Sequence, residues 1–505
     1  MNPGCLPDSF HEYVSNDNLT TKKIYDDLVF YFNESLKIYP KEESVFAIYF
    51  FEILKFITLI KLKEREINGK LLLSDQAVIR TQVSWPYIGH QDLIKGHVDG
   101  SKNFGKNILI SQSRKKRIAQ GIHNLRSFFI PSGEYTASVI SPNIDIKTNL
   151  WLDSPSLRTN LISNNNNFFY FSDFKDQLNL IISSLKLIFD KNSFFLGHEN
   201  FLGLISNHIQ ANCKDGKERV SFESDIIILQ SGIELHNRFI ARIATRNKIP
   251  LLNIMHGESF GVIDEPVFSE YGECMYSNLV LGYGDQVVKS QIPYSHTYSN
   301  KKSYIPSSGV LTAGLYSDSY YGLAKKNNVK YFYFPNTLSG ATYRYGPYRD
   351  TADKLYLLWQ RKLIKLFGCD LTIKTHPKER YKSLLIFDNQ KVLNASFMDV
   401  KDLVDVYVFD HIGTAFTLAC STDKPVIYFH LGIRNIHIDA LEEIKKRTIF
   451  FDVRNGIPGM SEIRERLNFD YRRNCYTKKY SLGGISGLSR SKSLYTAIEN
   501  YLNST

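Results

Sequence analysis

Short apolar runs alternate along this chain with longer stretches of helical period. Asp225-Ile-Ile-Ile-Leu-Gln230, Leu251-Leu-Asn-Ile-Met255, Leu279-Val-Leu-Gly-Tyr-Gly284, Lys330-Tyr-Phe-Tyr-Phe-Pro335, Leu371-Thr-Ile-Lys374, Val406-Tyr-Val-Phe409 and Pro425-Val-Ile-Tyr-Phe429 each read as a strand. Near-continuous apolar runs of this kind suit strands covered on both faces, as in parallel sheets. Between them, 174–191, 239–247 and 353–367 carry apolar residues at helix spacing, the last with Leu355, Leu358, Trp359 and Leu363 on one face. Tyr25, Leu28, Val29 and Phe32 predict an early helix, and 45–60 a second. Strand, helix, strand in repetition predicts an α/β fold whose ligands lie at the carboxyl ends of the strands.

Length and composition narrow this picture. A chain of 505 residues with 43% apolar content can bury two domain cores. The net charge of +11 is dispersed and suits an anionic donor, an anionic glycan or an acidic membrane face. No nucleic-acid motif or sustained basic helix accompanies it, so nucleic acid is not an expected partner. The six cysteines form no CxxC pair, which suggests neither zinc nor a disulfide framework and points to a reducing cytoplasm. The run 45–60 contains Glu52 and Lys55, too polar and short for a membrane span. No signal peptide is expected at the start of the chain.

Candidate chemistry collects at strand ends. Lys374, His376 and Pro377 follow one strand; Asp410, Gly413 and Thr414 follow the next and open a helix, where free N–H groups and the helix dipole favour a phosphate. Proline restricts the residue before it to extended conformations and so aims His376. Asp410 reads either as a ribose contact or as a helix N-cap. Thr417 is a further hydroxyl on that helix. In the first half, Glu234 and His256 leave adjacent strands toward one sheet edge, with Glu258 and Asp264 as further carboxylates. Arg344 and Arg349, in a Tyr- and Gly-rich loop, offer planar forks for phosphate or carboxylate. The His- and Asp-bearing stretch 89–99 reads as a polar turn, and Arg114-Lys-Lys-Arg117 as a solvated helix start. No metal-ligand spacing is present, so no metal is expected.

The order Lys-x-His-Pro (374–377), Asp-x-x-Gly-Thr-Ala (410–415) and Lys-Pro-Val-Ile (424–427) resembles the C-terminal domain of GT-B glycosyltransferases. It is most similar to the branch with an HP motif and a downstream Ser/Thr motif. That branch includes bacterial CMP-Kdo and CMP-sialic acid transferases and the CDP-glycerol glycerophosphotransferases. The resemblance spans about 225–430, where the strand–helix–strand ending in His256-Gly257 also fits the first half.

The resemblance implies two Rossmann-like domains facing a cleft, with an N-terminal helical extension and a C-terminal helix crossing back. The expected divisions are a helical region 1–70, an acceptor domain 71–290, a linker 291–325, a nucleotide-sugar domain 326–480 and a terminal helix 481–505. It further implies transfer of an acidic sugar from a CMP-activated donor to a surface polysaccharide or lipid-linked glycan, without cofactor, at or near the cytoplasmic face of the inner membrane. His376, Lys374 and Thr414 would hold the donor phosphate, His256 would orient a carboxylate or touch donor, and Glu234 would act as base or nucleophile. A CDP-glycerol or CDP-ribitol phosphotransferase is the alternative enzyme, and a non-catalytic sugar-binding protein the alternative outside catalysis.

Overall fold

The computed structural model describes residues 23–24, 26–54, 57, 135–140, 157–161, 169–192, 198–217, 224–229, 235–255, 261–264, 268–291, 303–307, 314–320, 328–336, 353–375, 390–432, 434–467, 472–482 and 499–503. The strands of the first half are β1 (Tyr135–Ile140), β2 (Leu157–Leu161), β3 (Phe169–Phe171), β4 (Cys213–Asp215), β5 (Ile226–Leu229), β6 (Leu251–Ile254), β7 (Leu279–Tyr283) and β8 (Ser303–Ser307). Six of them form a sheet in the order β2-β1-β5-β6-β7-β8, with every pairing parallel. β3 and β4 make a separate parallel pair joined through the helices Phe174–Lys191 and His198–Asn212.

The second half contains β9 (Ser319–Tyr320), β10 (Tyr331–Phe334), β11 (Leu371–Lys374), β12 (Lys391–Leu393), β13 (Val406–Phe409), β14 (Val426–His430), β15 (Ile449–Asp452) and β16 (Arg472–Arg473). Its main sheet runs β12-β11-β10-β13-β14-β15, again wholly parallel. This is the strand order of a doubly wound dinucleotide-binding sheet, and its order reverses between β10 and β13. The first sheet has a different order but also reverses, between β1 and β5, so both halves are parallel α/β units, as the resemblance to the two Rossmann-like domains of GT-B proteins implies.

The early helices, 26–38 and 45–54, are not an outlying region. Leu28, Phe32, Phe46, Phe50 and Ile53 lie in one apolar cluster with Phe169, Ile181, Leu185 and Phe239 of the first half. Fully buried Arg242 fastens this packing. Its Nε–H donates to the Glu42 carbonyl at 2.7 Å and an Nη2–H to the Tyr170 carbonyl at 3.0 Å, while its guanidinium lies 4.0 Å from the Phe171 ring centroid. Gln177 works beside it: the Val45 N–H donates to its Oε1 at 2.8 Å and its Nε2–H donates to the Glu43 carbonyl at 2.9 Å.

Ser303–Ser307, inside the stretch 291–325 expected as a linker, belongs to the sheet of the first half. Asp285–Gln291 is helical, and β8 pairs along the full length of β7, which makes β8 the last strand of that sheet in chain order. The composition misleads here because Ser, Tyr, Asn and Lys can occupy an edge strand that water reaches on one side.

The two halves are joined by packing as well as by chain. One buried apolar cluster contains Met255, Val262, Cys274, Val280 and Val287 of the first half with Phe334, Phe409, Phe416, Tyr428 and Tyr480 of the second. At one end Ile263 and Ile436 form an antiparallel bridge, flanked by Asp264 N–H to Asn435 carbonyl at 2.9 Å and His437 N–H to Val262 carbonyl at 3.0 Å. At the other, the helix Cys475–Tyr480 packs on Asp285–Gln291. Gly284 permits that approach: its φ is +80°, and a Cβ there would stand 2.5 Å from the Tyr480 carbonyl carbon. Farther on, residues 499–503 are helical, and the Tyr501 hydroxyl is hydrogen-bonded to Asn278, so the chain end returns to the first half. Among the described residues, no helix is long and apolar enough to cross a membrane.

Gly284→Ala should therefore destabilise the protein by at least about 2 kcal/mol, since it combines left-handed strain with a backbone clash. Urea denaturation would measure this, and an unchanged midpoint would show that the helix Cys475–Tyr480 does not press on Gly284.

Candidate active site

β10 and β13 lie side by side with Phe334 opposite Phe409, and the helices that follow them cover opposite faces of the sheet. The helix Asp353–Phe367 covers one face, where Trp359 and Leu363 pack on Tyr331, Tyr333, Val406 and Val408. The helix Thr414–Ser421 covers the other, where Phe416 and Leu418 pack with Phe332, Phe334, Tyr407 and Phe409. The divergence opens a crevice beyond the carboxyl ends of these two strands.

Asp410 lies at its base with its side chain wholly out of solvent. The Tyr333 hydroxyl and the Trp359 Nε1–H (2.9 Å) donate to Oδ2, and the Tyr356 hydroxyl donates to Oδ1 at 2.9 Å. The Asn336 N–H in turn donates to the Tyr356 oxygen at 2.7 Å. His411 completes the set, with Nδ1 3.3 Å from Asp410 Oδ1. A buried carboxylate is tolerable only with such a complement of donors. Burial, with the Asp410 charge second, holds both Tyr333 and Tyr356 hydroxyls well above their ordinary pKa of 10.0.

Above this base lies a pocket lined by Asn336, Tyr356, His411, His430 and Arg434 of the second half, and closed by Ile263 of the first. His430 ends β14 and stacks on Phe450 at 5.7 Å between centroids. It pairs in register with Asp452, whose carboxyl is held below the usual range chiefly by its hydrogen bonds to Arg454, at 2.8 and 2.5 Å. The Arg454 side chain lies against Gly432, where a Cβ would meet its Cδ at 2.9 Å and φ is +69°. Gly432 thus lets the chain turn from β14 into the pocket wall.

The helix Thr414–Ser421 begins at Gly413, the N-cap, whose extended φ of −164° any residue could adopt. Asp410 is therefore not the cap. The opposite end of this helix is neutralised by Arg447, fully buried, which donates to the carbonyls of Cys420 (2.8 Å), Thr422 (3.0 Å) and Lys424 (3.1 Å). A cation at the carboxyl end offsets the negative pole of the helix and leaves its positive end, at Gly413, toward the crevice.

The residues singled out from sequence are distributed unevenly about this pocket. Asp410 forms its base, with both oxygens turned to internal donors. Gly413 is half-buried, Thr414 exposed and Thr417 fully buried. Lys374 ends β11, one strand farther out, and is absent from the pocket lining. It is buried with its Nζ 5.7 Å from the Phe334 ring centroid, and burial pulls its pKa down against the charge of Asp399. Asp264 is exposed at the junction of the halves, its carboxylate 3.8 Å from His437 Nε2. Glu234, His256, Glu258, Arg344, Arg349, His376 and Pro377 lie outside the described residues, as do 89–99 and 114–117. β5 and β6, which precede Glu234 and His256, are adjacent and parallel.

Sequence reasoning missed His411, His430 and Arg434, and it missed the donors to Asp410. A signal existed for the donors. Alternation in Tyr331-Phe-Tyr-Phe334 puts both tyrosines on one face, and Tyr356 and Trp359 share a helix face three residues apart. Buried tyrosine and tryptophan need a polar partner, and Asp410 is the nearest carboxylate at a strand end. Among the described residues, no group of three or more His, Cys, Asp or Glu could hold a metal ion.

The raised tyrosine pKa values set a pH dependence. In the unfolded chain these hydroxyls ionise near pH 10, whereas in the fold they stay protonated, so stability is intact below that pH and falls as pH rises through and beyond it. Urea denaturation from pH 8 to 11 should show this loss, with a shallower slope in the Tyr333→Phe/Tyr356→Phe variant. Identical slopes would mean that the pair ionises normally.

No protein-family model matches the chain, and no curated protein matches it in sequence. Among solved structures, it is similar to the glycosyltransferase SnogD from Streptomyces nogalater, at 11% identity over 72% of this chain and 86% of that one, with a TM-score of 0.32. It is also similar to the glycotransferase of kitacinnamycin, at 10% identity over 74% and 96% of the two chains, TM-score 0.32. A third likeness, to the GtfA/B complex, has 12% identity over 61% and 58%, TM-score 0.26. Likenesses this distant say nothing of what this chain acts on.

Proposed function

We propose that the chain is a glycosyltransferase that moves a sugar from a nucleotide-activated donor to a glycan or lipid-linked glycan. The observation that supports this reading best is the pocket at the reversal point of the second sheet. It carries His411, His430 and Arg434, stands near the positive end of the helix Thr414–Ser421, and is closed by Ile263 of the first half. Groups able to carry positive charge, at a strand-end crevice between two parallel sheets, suit a phosphate that gains negative charge as its bond to the sugar breaks.

The finer assignment is a CMP-activated acidic sugar, Kdo, sialic acid or a relative, built into a bacterial surface polysaccharide at the cytoplasmic face of the membrane. It is favoured by the Lys374-x-His376-Pro377 and Gly413-Thr414 segments and their resemblance to that branch. His376 and Thr414 would bind the donor phosphate, Lys374 would add its charge from one strand farther out, and Arg344 or Arg349 would hold the sugar carboxylate. Glu234 would take the acceptor proton or attack the anomeric carbon, with His256 orienting it and Glu258 or Asp264 in reserve. Leaving-group charge would then be met by side chains and helix dipole, with no metal required.

Calorimetric titration with CMP, CDP, UDP and GDP tests the reading. CMP should bind most tightly, with at least tenfold weaker binding in His376→Ala. A preference for UDP or GDP would overturn the CMP assignment, a preference for CDP would favour polyol-phosphate transfer, and no binding of any nucleotide would overturn the transferase reading itself.

A further inference from the structure

A buried carboxylate and an imidazole are consecutive in the chain at the floor of the pocket, and the sequence had assigned the imidazole no part. Asp410 offers only lone pairs to His411, so the proton they share sits on His411 Nδ1. That fixes the tautomer and turns the far edge of the ring away from Asp410. The edge bearing Nε2 lies beside Gly413: a Cβ on that glycine would stand 3.7 Å from His411 Nε2 and Cδ2. His411 remains partly open, with 23% of its side chain exposed, although the carboxylate holding it has none. Asp410 is in turn immobilised by Tyr333, Tyr356 and Trp359, which reach it from β10 and the helix Asp353–Phe367. Rings held this way are typically found where a nitrogen must be presented in one direction.

We infer that His411 presents Nε2–H to the departing phosphate of the donor, with Asp410 as its positioning residue. The inference rests on the glycosyltransferase reading above. In direct displacement, the acceptor oxygen bonds to the anomeric carbon as the bond from that carbon to the phosphate oxygen breaks. The electron pair passes to the phosphate oxygen, the acceptor proton passes to the first-half carboxylate, and Nε2–H donates a hydrogen bond to the oxygen that gains the pair. A phosphate close to Nε2 favours the imidazolium, so nucleotide binding at pH 7.5 should draw a proton from solution. Among the described residues, the other titratable or charged groups lining the pocket with the ring are Asp410 on its own strand end, Tyr356 from the helix Asp353–Phe367, and Tyr428, His430 and Arg434 along the β14 wall. The Asp264–His437 pair lies at the junction of the halves, beside the pocket residues Ile263 and Ile436.

Two substitutions separate the ring's two nitrogens. His411→Asn keeps a donor near the Nδ1 position for Asp410 and removes the Nε2 end, whereas His411→Gln restores an amide donor near Nε2 but cannot take up a proton. Calorimetry with whichever of CMP, CDP, UDP and GDP binds the native protein best, repeated in buffers of different ionisation enthalpy, reads affinity and proton uptake together. His411→Asn should bind at least tenfold more weakly with the uptake lost, and His411→Gln should recover part of the affinity without the uptake. Gly413→Ala, which adds a methyl beside Nε2 at an extended backbone position, should also weaken binding at least several-fold while its thermal transition stays in place. Native affinity and native proton uptake in His411→Asn would overturn the inference and leave the transferase reading standing. If the native protein bound none of the four nucleotides, the transferase reading would fall and the inference with it.

Discussion

The second half depends on a negative charge with no water to solvate it. Asp410 directly follows the central strand β13 with its side chain out of solvent, where an unpaired carboxylate would be prohibitively costly. Each donor that reaches it commits a different element. Tyr333 fixes the face that β10 turns to the helix Asp353–Phe367, Tyr356 and Trp359 fix that helix in rotation, and the Asn336 amide ties down the turn that leaves β10. The same arrangement that satisfies the charge anchors the carboxylate that His411 meets at the pocket floor. Core stability and site geometry here share one set of hydrogen bonds.

A second constraint acts on the helix Thr414–Ser421. Eight residues give a short helix, and its dipole matters at the crevice only if the opposite pole is answered. Arg447 does this from the helix Ile438–Arg447, and Asn474 adds a donor to the Cys420 carbonyl at 2.7 Å. Both are buried, so the cost of removing a guanidinium from water is offset by carbonyls that would otherwise lack partners.

Much of the fold was legible because burial on both faces of a parallel strand leaves a plain mark. Ile226–Leu229, Leu251–Ile254, Val406–Phe409 and the helix Asp353–Phe367 lie where the apolar pattern puts them. β8 was not legible, because Ser303-Tyr-Ile-Pro-Ser307 at a sheet edge lacks that mark and contains a proline that only an edge strand tolerates. At the site, Asp410 and Gly413 could be singled out from their place after a strand. The tyrosines and tryptophan that hold Asp410 come from 51 to 77 positions away, and only the folded sheet brings them together. His430 and Arg434 were hidden for a related reason: the run that precedes them reads as a strand whose purpose is complete at Phe429.

The apolar cluster that crosses from one half to the other has a mechanical consequence. Two domains joined by a chain can in general swing apart, but here Met255, Val262 and Val287 share a dry interior with Phe416, Tyr428 and Tyr480. Swinging would wet that interior, at about 25 cal/mol for every Å² of apolar surface exposed. The shared interior therefore makes the two halves a frame around the crevice instead of a jaw.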